Sequence, residues 1–215
     1  VAVGVPDSNA IQVYRDTNGD GVADTKAPFY EGGPRGGNME HQPSGLMWAM
    51  DNWLYTTYNA YRLRWTGGTN ALKESTAPNG GQWGIAQDDH GKPWWSNAGG
   101  EKGLWHFQTH VLYGAIDVRE QFAEDFLECF PLVGLADVQG GPRRFRPEDK
   151  TLNHFTASCG HEIFRGDRLP AELRGNAFLP EPVGRLIRRA KVEVRDGITY
   201  LSNPYPKSEL DRKST

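Results

Sequence analysis

Apolar and polar residues alternate over short stretches along most of the chain, and turn residues separate these stretches. Residues 45–59, GLMWAMDNWLYTTYN, read as an apolar strand, a turn at Asp51-Asn52 and a second strand rich in aromatic and β-branched residues. Residues 83–100, WGIAQDDHGKPWWSNAGG, repeat this shape roughly 38 residues later, with a turn at residues 88–91. Units of about 40–45 residues with four strands are typical of β-propellers, so the pattern predicts an all-β propeller.

Three repeat-like units are predicted, at about residues 11–66, 83–113 and 155–201, the last of them looser than the others. Together they make residues 1–215 a single propeller segment of roughly three to four blades. A ring of six such blades would need about 240–270 residues, so the remaining blades are expected from elsewhere or from another subunit. Residues 117–130, DVREQFAEDFLECF, have apolar residues at helical spacing and predict one surface helix inserted between blades.

Composition agrees with short strands and tight turns, since the chain has 26 Gly, 14 Pro and 7 Trp. The net charge is −3 with both signs spread along the chain, which argues against a nucleic-acid surface. No apolar run approaches the ~20 residues that cross a bilayer, and no signal peptide is recognisable. The chain opens without Met on the strand-like VAVGVPD, as expected of a processed product or part of a longer protein. Cys129 and Cys159 fit a disulfide or two buried thiols equally well.

The strongest local motif is RDTNGDGVADTK, residues 15–26, which matches the spacing of a calcium loop. Alternating carboxylate and amide side chains around a glycine turn bring several hard oxygens to one point, as calcium requires. The predicted calcium ligands are Asp16, Asn18, Asp20, the main-chain carbonyl of Val22, and Asp24. Ala27 stands where a bidentate Glu would complete the loop, so a further ligand would be needed. The alternative is an Asp/Asn/Gly-rich turn between two strands, and any calcium is expected to be structural.

His41 is the leading candidate for chemistry, although most histidines in proteins are hydrogen-bonded surface or core residues. It precedes a predicted innermost strand, and in a propeller such a loop faces the central channel where sites are built. A pKa near neutrality would let its ring take a proton from a hydroxyl. His161, followed by Glu162, opens the third unit in the same way and is the second candidate.

The segment EHQPSGLMWAMDNWLYTTYN resembles a segment of the quinoprotein sugar dehydrogenases, which are six-bladed propellers that use pyrroloquinoline quinone and calcium. About 200 residues are more closely similar to the membrane-bound dehydrogenase propellers of planctomycetes and verrucomicrobia. The stretches that carry this resemblance are RDTNGDGVADT, GGNMEHQPSGLMWAMDNWLY, WGIAQDDHGKPWWSNAGG, HFTASCGHEIFRGDRLPAELRGNAFLPEPVGRLIRR and SELDRKST. Members of that family usually continue into further blades, helical repeats and a haem c domain.

The resemblance implies that His41 removes the proton of a sugar hydroxyl while a hydride passes to the quinone. The sugar dehydrogenases carry an arginine against the quinone, in a loop that corresponds to residues 78–86 here, and these residues contain no arginine. Gln82 in this loop, and Arg64 beyond a different strand, are therefore the predicted cofactor-binding residues.

Two functions follow as hypotheses. The first is an exported, periplasmic or extracellular and membrane-associated dehydrogenase that oxidises a carbohydrate or alcohol and passes electrons to a haem c domain or a cytochrome c. The second is a non-catalytic propeller that binds glycans or serves as a structural subunit of a larger assembly. Exposed Trp residues could stack on sugar rings in either case. Redox competence separates the two hypotheses, because an enzyme of this kind must bind an electron acceptor.

Overall fold

A computed structural model describes residues 1–5, 8–33, 37–38, 43–67, 70–76, 83–96, 104–106, 111–113, 116–118, 138–196, 198–202 and 204. Within these residues the fold is antiparallel β-sheet with short 3₁₀ turns at Pro142–Arg144 and Ala171–Leu173. No helix in this part of the chain is long and apolar enough to cross a bilayer.

The described strands form four sheets and one separate two-stranded ladder, and within each of these a strand pairs antiparallel with its neighbour in sequence. Sheet 1 contains β1 (Ala2–Gly4), β2 (Ile11–Arg15) and β3 (Thr25–Tyr30). Sheet 2 contains β4 (Met47–Trp48), β5 (Leu54–Tyr55), β6 (Tyr61–Arg64) and β7 (Leu72–Ser75). Sheet 3 contains β8 (Ala86–Gln87), β9 (Pro93–Ser96) and β10 (Leu104–His106), and a separate ladder joins β11 (Val111–Tyr113) to β12 (Ile116–Val118). Sheet 4 contains β13 (Glu162–Ile163), β14 (Ala177–Glu181), β15 (Leu186–Arg195) and β16 (Ile198–Ser202).

The two predicted hairpins and the strands of the third unit are confirmed. Asp51 accepts a hydrogen bond from the Trp53 N–H in the first turn, and Asp88 accepts bonds from the N–H groups of His90 and Lys92 in the second. These carboxylates bind main-chain N–H groups of the two tight turns, beside the main-chain bonds that close each hairpin. The predicted units do not coincide with sheets, since residues 11–66 contribute strands to both sheet 1 and sheet 2.

The helix predicted at 117–130 is wrong at its start. Ile116–Val118 is strand β12, and Val118 pairs with Val111 of β11. Two β-branched residues, Ile116 and Val118, suit an extended ladder better than the first turn of a helix. Residues 119–130 lie outside the described part of the chain.

The sheets pack face to face in the order in which they occur along the chain. The core between sheets 1 and 2 contains Ile11, Phe29, Leu54 and Leu63. The core between sheets 2 and 3 contains Ala49, Trp53, Tyr55 and Trp95. The core between sheets 3 and 4 includes Ala86, Trp94, Ile163, Ala177 and Leu179, with Val138, Leu152 and Phe155 packed on the same cluster.

Consecutive apolar residues in the middle sheets are explained by burial on both faces. Trp94 packs towards sheet 4 and the next residue, Trp95, packs towards sheet 2. Leu54 and Tyr55 likewise enter different cores, because successive side chains of a strand point to opposite faces. A strand covered on both sides reads as an apolar run rather than as an alternation.

Candidate functional site

Three loops that lead into the first strands of sheets 2, 3 and 4 lie next to one another at one end of the sheets. We call residues 43–46, 83–85 and 158–161 the approach loops. The Trp83 N–H donates to Ser44 Oγ at 2.9 Å, and the Gly160 N–H donates to the Trp83 carbonyl oxygen at 3.2 Å. Hydrogen bonds therefore connect the three loops in order, from sheet 2 through sheet 3 to sheet 4.

A glycine at the same position of each approach loop allows this close approach. Gly45, Gly84 and Gly160 each lie two residues before the first residue of β4, β8 and β13. A Cβ added to Gly45 would lie 2.9 Å from the Gly84 Cα, and a Cβ on Gly84 would lie 3.4 Å from the Gly160 Cα. Their φ values are +63°, +148° and +55°, a region that disfavours side chains. The three backbones thus form a line of direct contact, the glycine line.

Trp83 lies at the centre of the approach loops and presents its indole to solvent. Its side chain is 45% exposed, and its φ is +52°, a left-handed conformation that is rare for a bulky residue. The two backbone hydrogen bonds to neighbouring loops hold it in this conformation. Tyr58 shares the exposure and the left-handed backbone of Trp83, with a φ of +60° and 39% exposure.

His161 follows the glycine line but points into the protein, where it is 3% exposed. Its Nε2 lies 2.8 Å from the Trp94 carbonyl oxygen, and its Nδ1 lies 3.1 Å from Ser96 Oγ. Because a carbonyl only accepts, Nε2 carries the proton and Nδ1 accepts from the Ser96 hydroxyl. Burial lowers the pKa of His161 to about 4, so the ring is neutral at physiological pH. The predicted second catalytic residue is thus a buried link between sheets 3 and 4.

Arg64 is not brought to the approach loops. The Ser44 N–H and hydroxyl bond Thr57 at the approach-loop end of sheet 2. Arg64 lies at the opposite end, where its Nη2 donates to the Asp51 carbonyl oxygen and its guanidinium stacks on the Trp53 ring at 4.1 Å. This stacking gives Arg64 a structural role in the β4–β5 turn. The other residues predicted for the reaction site, His41 and Gln82, lie outside the described residues.

The predicted calcium loop is an exposed turn between β2 and β3 that is held by its own hydrogen bonds. Asp16 accepts the N–H groups of Asn18, Gly19 and Gly21, and these bonds lower the pKa of its carboxyl group. Asp24 accepts the N–H and hydroxyl of Thr17, which lowers its pKa in the same way.

The carboxylates of this loop are not arranged as a metal site. The Asn18 Nδ2 amide lies between Asp20 and Asp24, 3.1 Å and 3.3 Å from their nearest carboxylate oxygens. No three acidic, His or Cys side chains among the described residues are positioned to hold a metal. The arrangement matches a self-supported turn, and calcium binding by Asp16, Asn18, Asp20, Val22 and Asp24 stays a prediction.

Sequence reasoning missed Ser44, Trp83 and the glycine line. The signal that could have identified the line is the recurrence of a glycine just before each inner strand, in SGLM, WGIA and CGHE. The exposure of Trp83 could not be predicted from the neighbouring sequence. Several other Trp residues in similar stretches are buried in cores between sheets.

No curated protein and no solved structure matches this chain. A family model matches residues 2–212, nearly the whole sequence. The chain therefore belongs to the family described as Domain of unknown function (DUF7133).

Proposed function

We propose that the four sheets are blades of a β-propeller, six-bladed in the complete ring, and that the approach loops form its ligand face. Three features support this arrangement. The sheets are antiparallel meanders, they pack in chain order, and a glycine line joins them at one end. A narrow inner end made of glycine backbones is what wedge-shaped sheets around an axis require.

The proposed function is oxidation of a sugar or related alcohol at this face by an exported dehydrogenase. The observation that carries it is the exposed indole of Trp83, held in a strained conformation where three approach loops meet. Flat aromatic faces bind the apolar faces of sugar rings while polar groups nearby take the hydroxyls. The Ser44 hydroxyl, 2.9 Å from the Trp83 N–H, is such a group.

Oxidation of a hydroxyl-bearing carbon removes one proton from oxygen and one hydride from carbon. His41, three residues before Ser44 in the sequence, is the proposed proton acceptor. The two electrons would pass through a redox cofactor to a haem c domain or a cytochrome c partner in the periplasm or at a membrane surface.

The identity of that cofactor is a separate matter. Pyrroloquinoline quinone was expected to lie against a cationic side chain, and Arg64 does not supply one because it is bound to Trp53 and Asp51 at the other end of sheet 2. The described residues of the approach loops carry no arginine or lysine. They do not fit the quinone, so we derive no step through it.

The test is a pair of measurements on the intact protein. Isothermal titration with a panel of monosaccharides and polyols reports binding, and dye reduction by the protein as isolated, with the redox cofactor it carries, reports turnover. We expect Trp83→Ala to weaken sugar binding by about 2- to 10-fold, the equivalent of one lost aromatic contact. We expect His41→Gln to bind sugar normally and to lose turnover.

Trp48→Ala is the matched control, because Trp48 is similarly exposed at 47% but lies at the opposite end of sheet 2. If Trp48→Ala and Trp83→Ala weaken binding equally, the approach loops are not the ligand face. Sugar binding without turnover under any redox condition would overturn the dehydrogenase.

A carbohydrate-binding propeller without redox chemistry is the second candidate. It is favoured by the chemistry of the described approach-loop residues. These residues are uncharged at neutral pH, and their one histidine, His161, is buried. Neutral hydroxyl, amide and aromatic groups suffice to bind a glycan but not to transfer electrons. Dependence of binding on Trp83 together with full binding by His41→Gln and no dye reduction would identify this function.

A further inference from the structure

Two exposed aromatic residues with left-handed backbones lie close to Ser44. Among the residues that the structure describes, Tyr58 and Trp83 are the aromatic residues with a positive φ, at +60° and +52°. Both reach the surface, with 39% and 45% exposure. A bulky side chain in this conformation is rare, and it persists only where the surroundings hold the backbone. Two such residues beside one serine indicate a shared role.

Tyr58 belongs to the β5–β6 connection, at the approach-loop end of sheet 2, and its neighbours in the chain fix its backbone. The preceding residue, Thr57, is fully buried, and its N–H donates to the Ser44 carbonyl oxygen at 2.9 Å. The following residue, Asn59, donates from Nδ2 to the Thr57 carbonyl oxygen at 3.3 Å and accepts the Tyr61 N–H at 3.2 Å. The chain is therefore held on both sides of an aromatic residue that remains exposed.

Ser44 connects this held segment with Trp83. Its hydroxyl oxygen lies 3.0 Å from Thr57 Oγ1 and accepts the Trp83 N–H at 2.9 Å. The path from Tyr58 to Trp83 thus crosses one peptide unit and two hydrogen bonds, which puts their Cα atoms no more than roughly 14 Å apart. One elongated molecule can therefore contact both aromatic residues, whereas they belong to the loops of two different sheets.

The described surface between the two aromatic residues suits a neutral ligand. The described approach-loop residues, at 43–46, 83–85 and 158–161, carry no charge at neutral pH. A chain of acidic sugars would need cationic partners for its carboxylate or sulfate groups. Neutral sugar rings need instead flat aromatic faces for their apolar sides and polar groups such as the Ser44 hydroxyl for their rims. Two separate aromatic faces offer contacts to more than one ring.

We propose that Tyr58 and Trp83 form two subsites of the ligand face for different rings of one neutral oligosaccharide, so that the ligand is a glycan chain rather than a free monosaccharide. This inference rests on the proposed function, for which it names the ligand class and a second aromatic residue. It applies equally to oxidation and to binding without redox chemistry. Tyr58 binds the chain away from the ring held by Trp83 and takes no part in proton or electron transfer.

The test is isothermal titration of the intact protein with sugars that differ in length. Cellotetraose, maltotetraose, mannotetraose and xylotetraose are compared with glucose, mannose and xylose. We expect a tetrasaccharide to bind about 2- to 10-fold more tightly than its own monosaccharide, the equivalent of one additional aromatic contact. Tetrasaccharides that bind no more tightly than the monosaccharides would overturn the inference.

Tyr58→Asn separates a second subsite from a general preference for longer chains. Asn tolerates the left-handed backbone, so this variant removes the ring without adding strain. We expect it to lower the affinity for the tetrasaccharide by about 2- to 10-fold and to leave the affinity for the monosaccharide unchanged. Tyr58→Trp keeps an aromatic face and should keep tetrasaccharide binding. Trp48→Ala, at the opposite end of sheet 2, is the control, and thermal unfolding verifies the fold of each variant.

The variants distinguish failure of this inference from failure of the proposed function. If sugar binding depends on Trp83 but the advantage of the tetrasaccharide survives Tyr58→Asn, the ligand face stands and the Tyr58 subsite is wrong. Equal losses for monosaccharide and tetrasaccharide in Tyr58→Asn would also overturn the inference, because the two aromatic residues would then form a single subsite. Absence of binding by every sugar, or binding that is insensitive to Trp83→Ala, would overturn the proposed function and this inference together.

Discussion

The ring of His161 in the sheet 4 approach loop donates a hydrogen bond from Nε2 to the main-chain carbonyl oxygen of Trp94 in sheet 3, at 2.8 Å. Ser96 Oγ, two residues further along the same strand, holds the other ring nitrogen. One neutral side chain of an approach loop thus bonds twice to β9, the central strand of the neighbouring sheet. The bond makes the contact between sheets 3 and 4 sensitive to protonation.

Acid should weaken the fold through His161. Its pKa is about 4 in the folded chain, against about 6.5 when unfolded, so the unfolded state binds the extra proton between these values. The contribution to stability is complete above pH 6.5 and is lost as pH falls towards 4, by about 3 kcal/mol in total. Chemical denaturation at intervals of pH measures this slope.

His161→Gln is the informative variant, since its amide can still donate to the Trp94 carbonyl but cannot titrate. We expect the free energy of unfolding to depend less on pH between 6.5 and 4 in this variant. An identical slope in both proteins would show that other groups account for acid sensitivity.

The glycine line predicts a position-specific cost of adding a methyl group. Gly45→Ala places its Cβ 2.9 Å from the Gly84 Cα, and backbone cannot move away as a flexible side chain could. Gly175→Ala is the control, because Gly175 has a similar φ of +77° and open space around it. The control should lose about 1–2 kcal/mol from its left-handed backbone alone.

Gly45→Ala should lose more than Gly175→Ala, by about 1–3 kcal/mol, from the overlap. Thermal or urea unfolding of the two variants measures the difference. Equal losses would mean that sheets 2 and 3 can separate at this end without cost.

Glu181 should stabilise the turn that precedes the sheet 4 approach loop. Its buried carboxylate accepts the N–H groups of Thr156 and Ala157 at Oε1 and of Gly184 at Oε2. Glu181→Gln puts an amide N–H₂ against one set of donors, and we expect a loss of about 1–3 kcal/mol. Exposed Glu172→Gln is the control. A loss no larger than that of Glu172→Gln would show that water replaces the carboxylate.

Calcium binding to the loop between β2 and β3 can be tested by titration calorimetry and thermal unfolding. If Asp16, Asp20 and Asp24 rearrange around the ion, calcium should raise the melting temperature and magnesium should do so less. Asp20→Asn keeps an oxygen that can accept from the Val22 N–H but removes a charge, and should abolish the effect. The exposed Asp196→Asn is the control. No heat and no shift in the wild-type protein would identify the loop as a turn only.

Hairpins were predictable from the sequence because their determinants are local. Asp51 and Asp88 shape turns within four residues of themselves, and the aromatic and β-branched strands around them are short and unambiguous. The strands of sheet 4 were predictable for the same reason. Local pattern failed at Asp117 and Val118, where helical spacing of apolar residues was outweighed by pairing with β11.

The site was less predictable, since the environment of a side chain depends on distant residues. His161 looked like an exposed base from its position before a strand, but its partners Ser96 and Trp94 lie 65 and 67 residues away. Arg64 was expected near a cofactor and instead stacks on Trp53, on the turn between two other strands. The recurrence of glycine at positions 45 and 84 was the sequence feature that indicated contact between the approach loops. The backbones of Gly45 and Gly84 are so close that a side chain at Gly45 would overlap the other loop.

The consecutive packing of the sheets also sets the order in which the chain can fold as it leaves the ribosome. The core between sheets 1 and 2 can close soon after β7 emerges, whereas the described core that contains Trp94 is completed only when Val138, Leu152, Phe155 and the strands of sheet 4 have been made. His161 follows Ser96 by 65 residues, so at about 5–20 residues per second their hydrogen bond can form no sooner than roughly 3–13 s after Ser96 is made. During this interval Trp94 lacks its core partners from sheet 4, so sheet 3 is the stage of synthesis at which a chaperone that shields apolar side chains would act.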